Sequence, residues 1–174
     1  PVIGICGGFQ ILGKELEDPD CVEHGGTMRG MGLLDTRTVF SEAKTRTQTE
    51  GVMERGAGLW SGWEGRKVTG YEIHMGVTEN LGNCRELVRL ADGRIDALAN
   101  QDGSVLGSYL HGIFDTEGFA EETVRRLMER KGLEYTGEDF DLQAHKDQEY
   151  DKLADLVRRS LDMKKIYEIL EAGI

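Results

Sequence analysis

The feature that most constrains this chain is its opening, Pro1-Val2-Ile3-Gly4-Ile5-Cys6-Gly7-Gly8-Phe9-Gln10-Ile11-Leu12-Gly13. Val2, Ile3 and Ile5 make a short apolar run suited to a buried strand. Gly4-Ile5-Cys6-Gly7-Gly8 then has the form G-x-C-x-G, the cysteine version of an elbow in which a strand turns sharply into a helix and leaves one side chain exposed. The bend is strained, and Gly4 and Gly8 are expected to leave room where a β-carbon would strike neighbouring backbone. Cys6 would stand at the start of a helix, where unpaired N–H groups favour the thiolate, the form that attacks carbonyls. The N–H of Gly7 would point to where an oxyanion forms. A cysteine between glycines can equally be a small buried residue, so the rest of the chain has to decide.

A thiolate nucleophile needs a base that takes its proton and returns it to a leaving group, and histidine suits that near neutral pH. The sequence offers four. His24 sits in a glycine-rich loop and His145 in an acidic stretch. His74 lies within a strand-like segment. His111 follows the apolar run Val105-Leu106-Gly107-Ser108-Tyr109-Leu110 and precedes Gly112, so it stands at a strand end with space beside it. A strand-end histidine beside a strand-end cysteine is the geometry covalent acyl transfer requires.

Composition excludes other classes. A chain of 174 residues is long enough to bury a core as one domain, and a formal charge of −11 disfavours nucleic acid and anionic membrane as partners. Three scattered cysteines imply no disulfide framework and fit a reduced, cytoplasmic enzyme. No apolar run is long enough for a membrane span, and the N-terminus lacks the basic leader of a signal peptide. Cys21-Val22-Glu23-His24 carries a C-x-x-H pair without a second pair at metal-ligand spacing, so no metal site is expected. The chain opens without a methionine, directly at a strand that should lie mid-sheet with neighbours on both sides. It is therefore expected to be the later part of a longer protein.

The spacing predicts a helix over Phe9–Leu16, ended at Asp18-Pro19-Asp20, and a half-buried strand over Leu33–Phe40. Thr45–Met53 reads as an edge strand or hairpin arm, and Leu59–Trp63 as a loop with aromatic anchors. Val68–Met75 reads as a strand ending at Gly76. Asp92-Gly93 and Asp102-Gly103 are hairpin signals, the second joining Ile95–Asn100 to Val105–Leu110. Phe119–Lys131 should be a helix burying Phe119, Val124, Leu127 and Met128 and stopped at Gly132. Glu134–Gln148 is acidic and irregular. Tyr150, Leu153, Ala154, Val157 and Leu161 recur at helical spacing, and Asp162 can cap a last helix that stops at Gly173.

Three segments together resemble class I glutamine amidotransferase domains of the cobyric/cobyrinic acid synthase type. They are Gly4–Gly13, Tyr71-Glu72-Ile73-His74-Met75-Gly76 and Gly107-Ser108-Tyr109-Leu110-His111-Gly112-Ile113-Phe114-Asp115. The tail Asp151–Met163, and Gly30–Leu34 leading to Thr38-Val39-Phe40, are similar to the cobyric acid branch of that family. The resemblance implies an α/β fold, a flavodoxin-like mixed sheet flanked by helices, with N-terminal strands missing from residues 1–174. It implies that Cys6 attacks the side-chain amide of glutamine, that His111 protonates departing ammonia, and that water releases glutamate. Gly7, Gly8, Gln10, Tyr71, Glu72 and His74 would line the oxyanion or glutamine site.

The family further implies an upstream ATP-dependent synthetase domain, resembling dethiobiotin synthetase, that uses the ammonia to amidate corrin carboxylates. ATP and Mg²⁺ are then expected on that domain and no cofactor on this chain. The isolated chain, lacking a second oxyanion donor from an earlier loop, is expected to hydrolyse glutamine poorly. Many relatives place a glutamate two residues after the histidine; here that position is Ile113, as in the cobyric acid branch. Glu72 and Asp115 are left as candidates to orient His111. Two other readings stay open: the glutaminase of a sibling enzyme, either cobyrinic acid a,c-diamide synthase or the partner of a cell-wall ligase, or a non-catalytic remnant that only docks a synthetase.

Overall fold

In the computed structural model the opening stretch is a strand, a bend and a helix: β1 (Val2–Ile5) runs through Cys6 into α1 (Gly7–Leu12). The structure describes residues 1–137 and 142–173. They fall into two compact units, Pro1–Tyr135 and Thr136–Ile174.

After α1, the first unit continues through β2 (Glu15–Asp18), β3 (Gly26–Arg29), β4 (Thr36–Met53) and β5 (Lys67–Asn80). There follow β6 (Arg85–Leu90), β7 (Ile95–Ala99), β8 (Val105–Ser108), the two-residue β9 (Leu110–His111) and α2 (Phe119–Arg130). The nine strands form one mixed sheet in the order β1-β8-β7-β6-β4-β2-β3, with β5 bridging β4 and β9. β1 runs parallel to β8 and β2 parallel to β4; the other pairs are antiparallel. The mixed α/β architecture expected from the sequence is therefore present. β1 stands at the end of this order with β8 as its strand neighbour.

Apolar side chains leave the sheet on both faces, because successive residues of a strand point opposite ways. Ala97, Ala99 and Leu106 join Met53, Trp60, Trp63, Leu87, Val88, Leu110 and Phe119 in one core. Leu98 and Val105, their chain neighbours, join Phe9, Leu12, Leu34 and Tyr109 in the other. Trp60 and Trp63, the expected aromatic anchors, are buried against Phe119, with ring centroids 5.9 and 4.8 Å away. Both hairpin signals hold: Gly93 and Gly103 have φ of 88° and 70°, and Asp92 and Asp102 accept the N–H groups of Arg94 and Ser104.

Several expectations need correction. The helix stops at Leu12 rather than Leu16, and Leu16 is a buried strand residue paired to both β3 and β4. Gly13 turns the chain where a β-carbon would lie 2.6 Å from the Thr36 hydroxyl. Asp18 does not merely end a helix. Its carboxylate accepts the N–H groups of Val22, Glu23, His24 and Gly25 and shapes that loop. In α2 the buried residues are Phe119 and Thr123, while Val124 is exposed. The inward face is aligned with Arg126, which packs over Trp63 and donates to the carbonyls of Leu59 and Ser61.

The second unit holds α3 (Leu142–Ser160) and α4 (Met163–Ala172). Asp162 caps α4 by accepting the Lys165 N–H. Of the acidic stretch 134–148, positions 138–141 lie outside the described residues, and 142–148 are helical rather than irregular. Among the described residues no helix is long and apolar enough to cross a membrane.

Candidate active site

Cys6 has φ 55° and ψ −117°, a left-handed conformation that costs a non-glycine residue about 1–3 kcal/mol. The surroundings enforce it. Its N–H donates to the carbonyl of Ser108 at 2.9 Å, and its carbonyl accepts the N–H of Gln10 at 3.1 Å. A β-carbon on Gly4 would lie 2.5 Å from the carbonyl oxygen of Gly8, so only glycine fits there. Gly8 itself has nothing within 4 Å of such an atom. The steric duty expected of both glycines thus falls on Gly4, because Gly8 faces open space. Gly107, opposite Gly4 across the β1–β8 pair, is the second tight position, filled by the ring of Phe9. The partly buried thiol of Cys6 donates to the carbonyl of Ile73 at 3.3 Å.

His111 is carried on β9, where it pairs with Tyr71 of β5. Its imidazole lies parallel to the Tyr71 ring, 6° between planes and 5.1 Å between centroids. Its Nε2 is buried and has no hydrogen-bond partner. Cys6 reaches β5 at Ile73 and His111 reaches it at Tyr71, positions two apart and so about 7 Å along one strand. The elbow and the strand-end histidine therefore both contact one short segment of β5. Beside His111 opens a cleft of about 510 Å³ whose lining includes Tyr71, Gly112, Asp115, Thr69 and Glu50.

The remaining predicted residues divide. Tyr71 lines the cleft. Gln10 is buried, and its amide nitrogen is spent on the Met75 carbonyl and the Tyr109 hydroxyl. Glu72 points to the other face of β5 from Tyr71. There Arg94 grips it bidentately at 3.0 and 2.6 Å, and His74 Nε2 lies 3.4 Å from it. Burial works against its ionisation, but Arg94 and then His74 outweigh that and hold the carboxyl below its ordinary value. Glu72 is thus taken up by Arg94 and His74 and does not orient His111. His74 is itself enclosed, its Nδ1 at 3.1 Å from the Gly76 carbonyl and its ring stacked 3.7 Å from that of Tyr109. Asp115, the other candidate, shares the cleft with His111.

Three residues escaped the sequence reading. Arg94 follows the Asp92-Gly93 turn, where nothing local marks it as the partner of a glutamate 22 positions earlier. Asp96 is buried within β7, accepting the Ser108 hydroxyl at 2.5 Å and the Tyr109 N–H at 2.9 Å. Ser108 in turn accepts the Leu110 N–H. An aspartate in an apolar strand is itself a signal, since a buried carboxylate must find donors. Among the described residues no three His, Cys, Asp or Glu side chains gather into a group able to hold a metal.

A cysteine elbow on a mixed α/β sheet, with a histidine arriving from a distant strand, is an arrangement suited to covalent acyl transfer. The family model of the CobB/CobQ-like glutamine amidotransferase domain matches residues 1–119. The chain belongs to that family. It is 44% identical to a cobyric acid synthase of Lachnoclostridium phytofermentans over 99% of this chain and 36% of the relative. Against the Ruminiclostridium cellulolyticum cobyric acid synthase it is 44% identical over 100% and 35%, and against that of Citrobacter koseri 43% over 98% and 34%. The chain thus spans about a third of the length of these curated relatives. The fold is shared with a chain in the structure of PurLQS from Thermotoga maritima, at a TM-score of 0.52 and 17% identity, covering 74% of this chain and 61% of that one.

Proposed function

We propose that this chain is the glutaminase part of a cobyric acid synthase, supplying ammonia for amidation of corrin carboxylates in cobalamin biosynthesis. The observation that carries the reading is the convergence of a strained Cys6 and an unpartnered His111 nitrogen on one segment of β5. The cobyric acid synthases matched along nearly the whole chain supply the substrate class.

In this mechanism His111 Nε2 takes the thiol proton, which in the resting arrangement is donated in a hydrogen bond to the Ile73 carbonyl. The Cys6 sulfur attacks the side-chain amide carbon of glutamine. The N–H of Gly7, first in the helix, receives the developing oxyanion. Collapse breaks the C–N bond, and the imidazolium returns its proton to the leaving nitrogen, giving ammonia and a glutamyl thioester. Water, deprotonated by His111, then attacks the thioester carbon; glutamate leaves and the thiol is restored. An ATP-dependent part of the longer protein would consume the ammonia, and any ATP or Mg²⁺ chemistry belongs there.

In the full-length protein, Cys6→Ser and His111→Ala are expected to abolish glutamate release from glutamine while amidation with added ammonium salt continues. Unchanged glutamate release by Cys6→Ser sinks the nucleophile assignment.

A further inference from the structure

We infer that Asp96 and Ser108 form a brace that sets His111 in register with the Cys6 elbow, making both positioning residues for the reaction. The inference rests on the glutaminase reading above. Between β8 and β9 the chain changes partners: Ser108 still pairs with Ile5 of β1, whereas Leu110 already pairs with Glu72 of β5. At such a switch the intervening peptide groups leave the ladder, and buried N–H groups without acceptors are costly. The structure meets that need with two side chains. Asp96 Oδ1 accepts the N–H of Tyr109, and the Ser108 hydroxyl accepts the N–H of Leu110 while donating to Asp96 Oδ2. All four residues are buried, with Ser108 and Leu110 fully so.

The brace reaches both reacting residues through one amino acid. The carbonyl of Ser108 receives the N–H of Cys6, and its hydroxyl receives the N–H of the residue before His111. A shift of Ser108 therefore moves sulfur and imidazole relative to each other. Proton transfer depends steeply on that separation, and misplacement by about 1 Å can cost a hundredfold in rate. The family position two residues after the histidine is Ile113, an apolar buried residue that offers the imidazole no hydrogen bond, which leaves the placing of the His111 backbone and the Tyr71 stack as contributors to its orientation. Asp96 serves the backbone.

The test uses the full-length protein with glutamine as substrate. Asp96→Ala and Ser108→Ala are each expected to lower kcat by about tenfold to a hundredfold with KM little changed. Asp96→Asn, which keeps an oxygen for the Tyr109 N–H, should recover part of the loss. The double variant should fall no further than the worse single one, since the two residues act as one unit. Alkylation of Cys6 by iodoacetamide at alkaline pH, where the thiolate forms without a base, should stay at the wild-type rate. If Asp96→Ala does not fold, Ser108→Ala and Asp96→Asn carry the same comparison. The brace is refuted by wild-type kcat in these variants while Cys6→Ser is inactive, by losses that simply add, or by a matching loss of Cys6 alkylation. An active Cys6→Ser protein instead overturns the glutaminase reading beneath it.

Discussion

The imidazole of His111 lies flat against the ring of Tyr71, 5.1 Å from it and within 6° of parallel, although 40 residues separate them in sequence. The short β9 pairing with β5 creates the contact, and the stack limits rotation of the imidazole on the cleft side. Aromatic contacts of this kind contribute about 0.5–1.5 kcal/mol beyond burial. Tyr71→Phe should keep kcat for glutamine hydrolysis near wild type, and Tyr71→Ala should lower it by up to about tenfold. Steady-state kinetics decide, and equal values for the two variants would show that the ring does not steer the imidazole.

The elbow glycines are not equivalent. A β-carbon on Gly4 would overlap the Gly8 carbonyl and the side chain of Leu12, while one on Gly8 meets open space. Gly4→Ala should cost about 1–3 kcal/mol of stability and most of the activity. Gly8→Ala, inside a helix, should be neutral or stabilising by up to about 1 kcal/mol. Denaturant midpoints of the two variants make the comparison.

Glu72 is held below its ordinary carboxyl value of 4.5 by Arg94 and His74 against the effect of burial. A carboxyl whose folded pKa is lowered contributes stability that is present above the unfolded value and lost as pH falls towards the folded one. Removing the partner leaves a buried charge. For Arg94→Met we expect a loss of about 2–3 kcal/mol near neutral pH, less than a fully buried pair would give because Arg94 is half exposed. The gap to wild type should narrow as pH drops below about 4.5, where Glu72 is increasingly protonated in the unfolded chain. Thermal melts across that range check the sign; a gap that widens would exclude this pairing as its origin.

Phe119 touches Trp60, Trp63 and Phe114 in the core, and Val124, five residues on and turned to another face of the helix, is exposed. Phe119→Ala should therefore cost about 3–5 kcal/mol and Val124→Ala no more than about 0.5 kcal/mol. Chemical unfolding of both proteins measures this directly. Near-equal losses would mean that α2 presents a different face.

What could be read from the sequence was what local backbone geometry or charge dictates. The elbow is legible because a tight strand-to-helix bend admits only glycine at Gly4, and the hairpins because Gly93 and Gly103 need positive φ. The strand-end place of His111 is legible because an apolar run ends there beside a glycine. The end of α1 was not: Ile11, Leu12 and Leu16 fit helical spacing equally well, and pairing of Leu16 with β3 and β4 outweighs that local preference. Val124 likewise looked buried until Arg126 and Trp63 set the rotation of α2.

Tertiary structure alone decided which polar residues serve which neighbour. Glu72 follows Tyr71 in sequence, yet alternation along β5 sends one carboxylate to Arg94 and one ring to His111. Asp96 acquires its donors only because β8 leaves one partner for another beside it. A strand's own sequence sets which side chains share a face; what lies across from that face depends on strands contributed from elsewhere in the chain, and the energy of a buried charge depends on those neighbours.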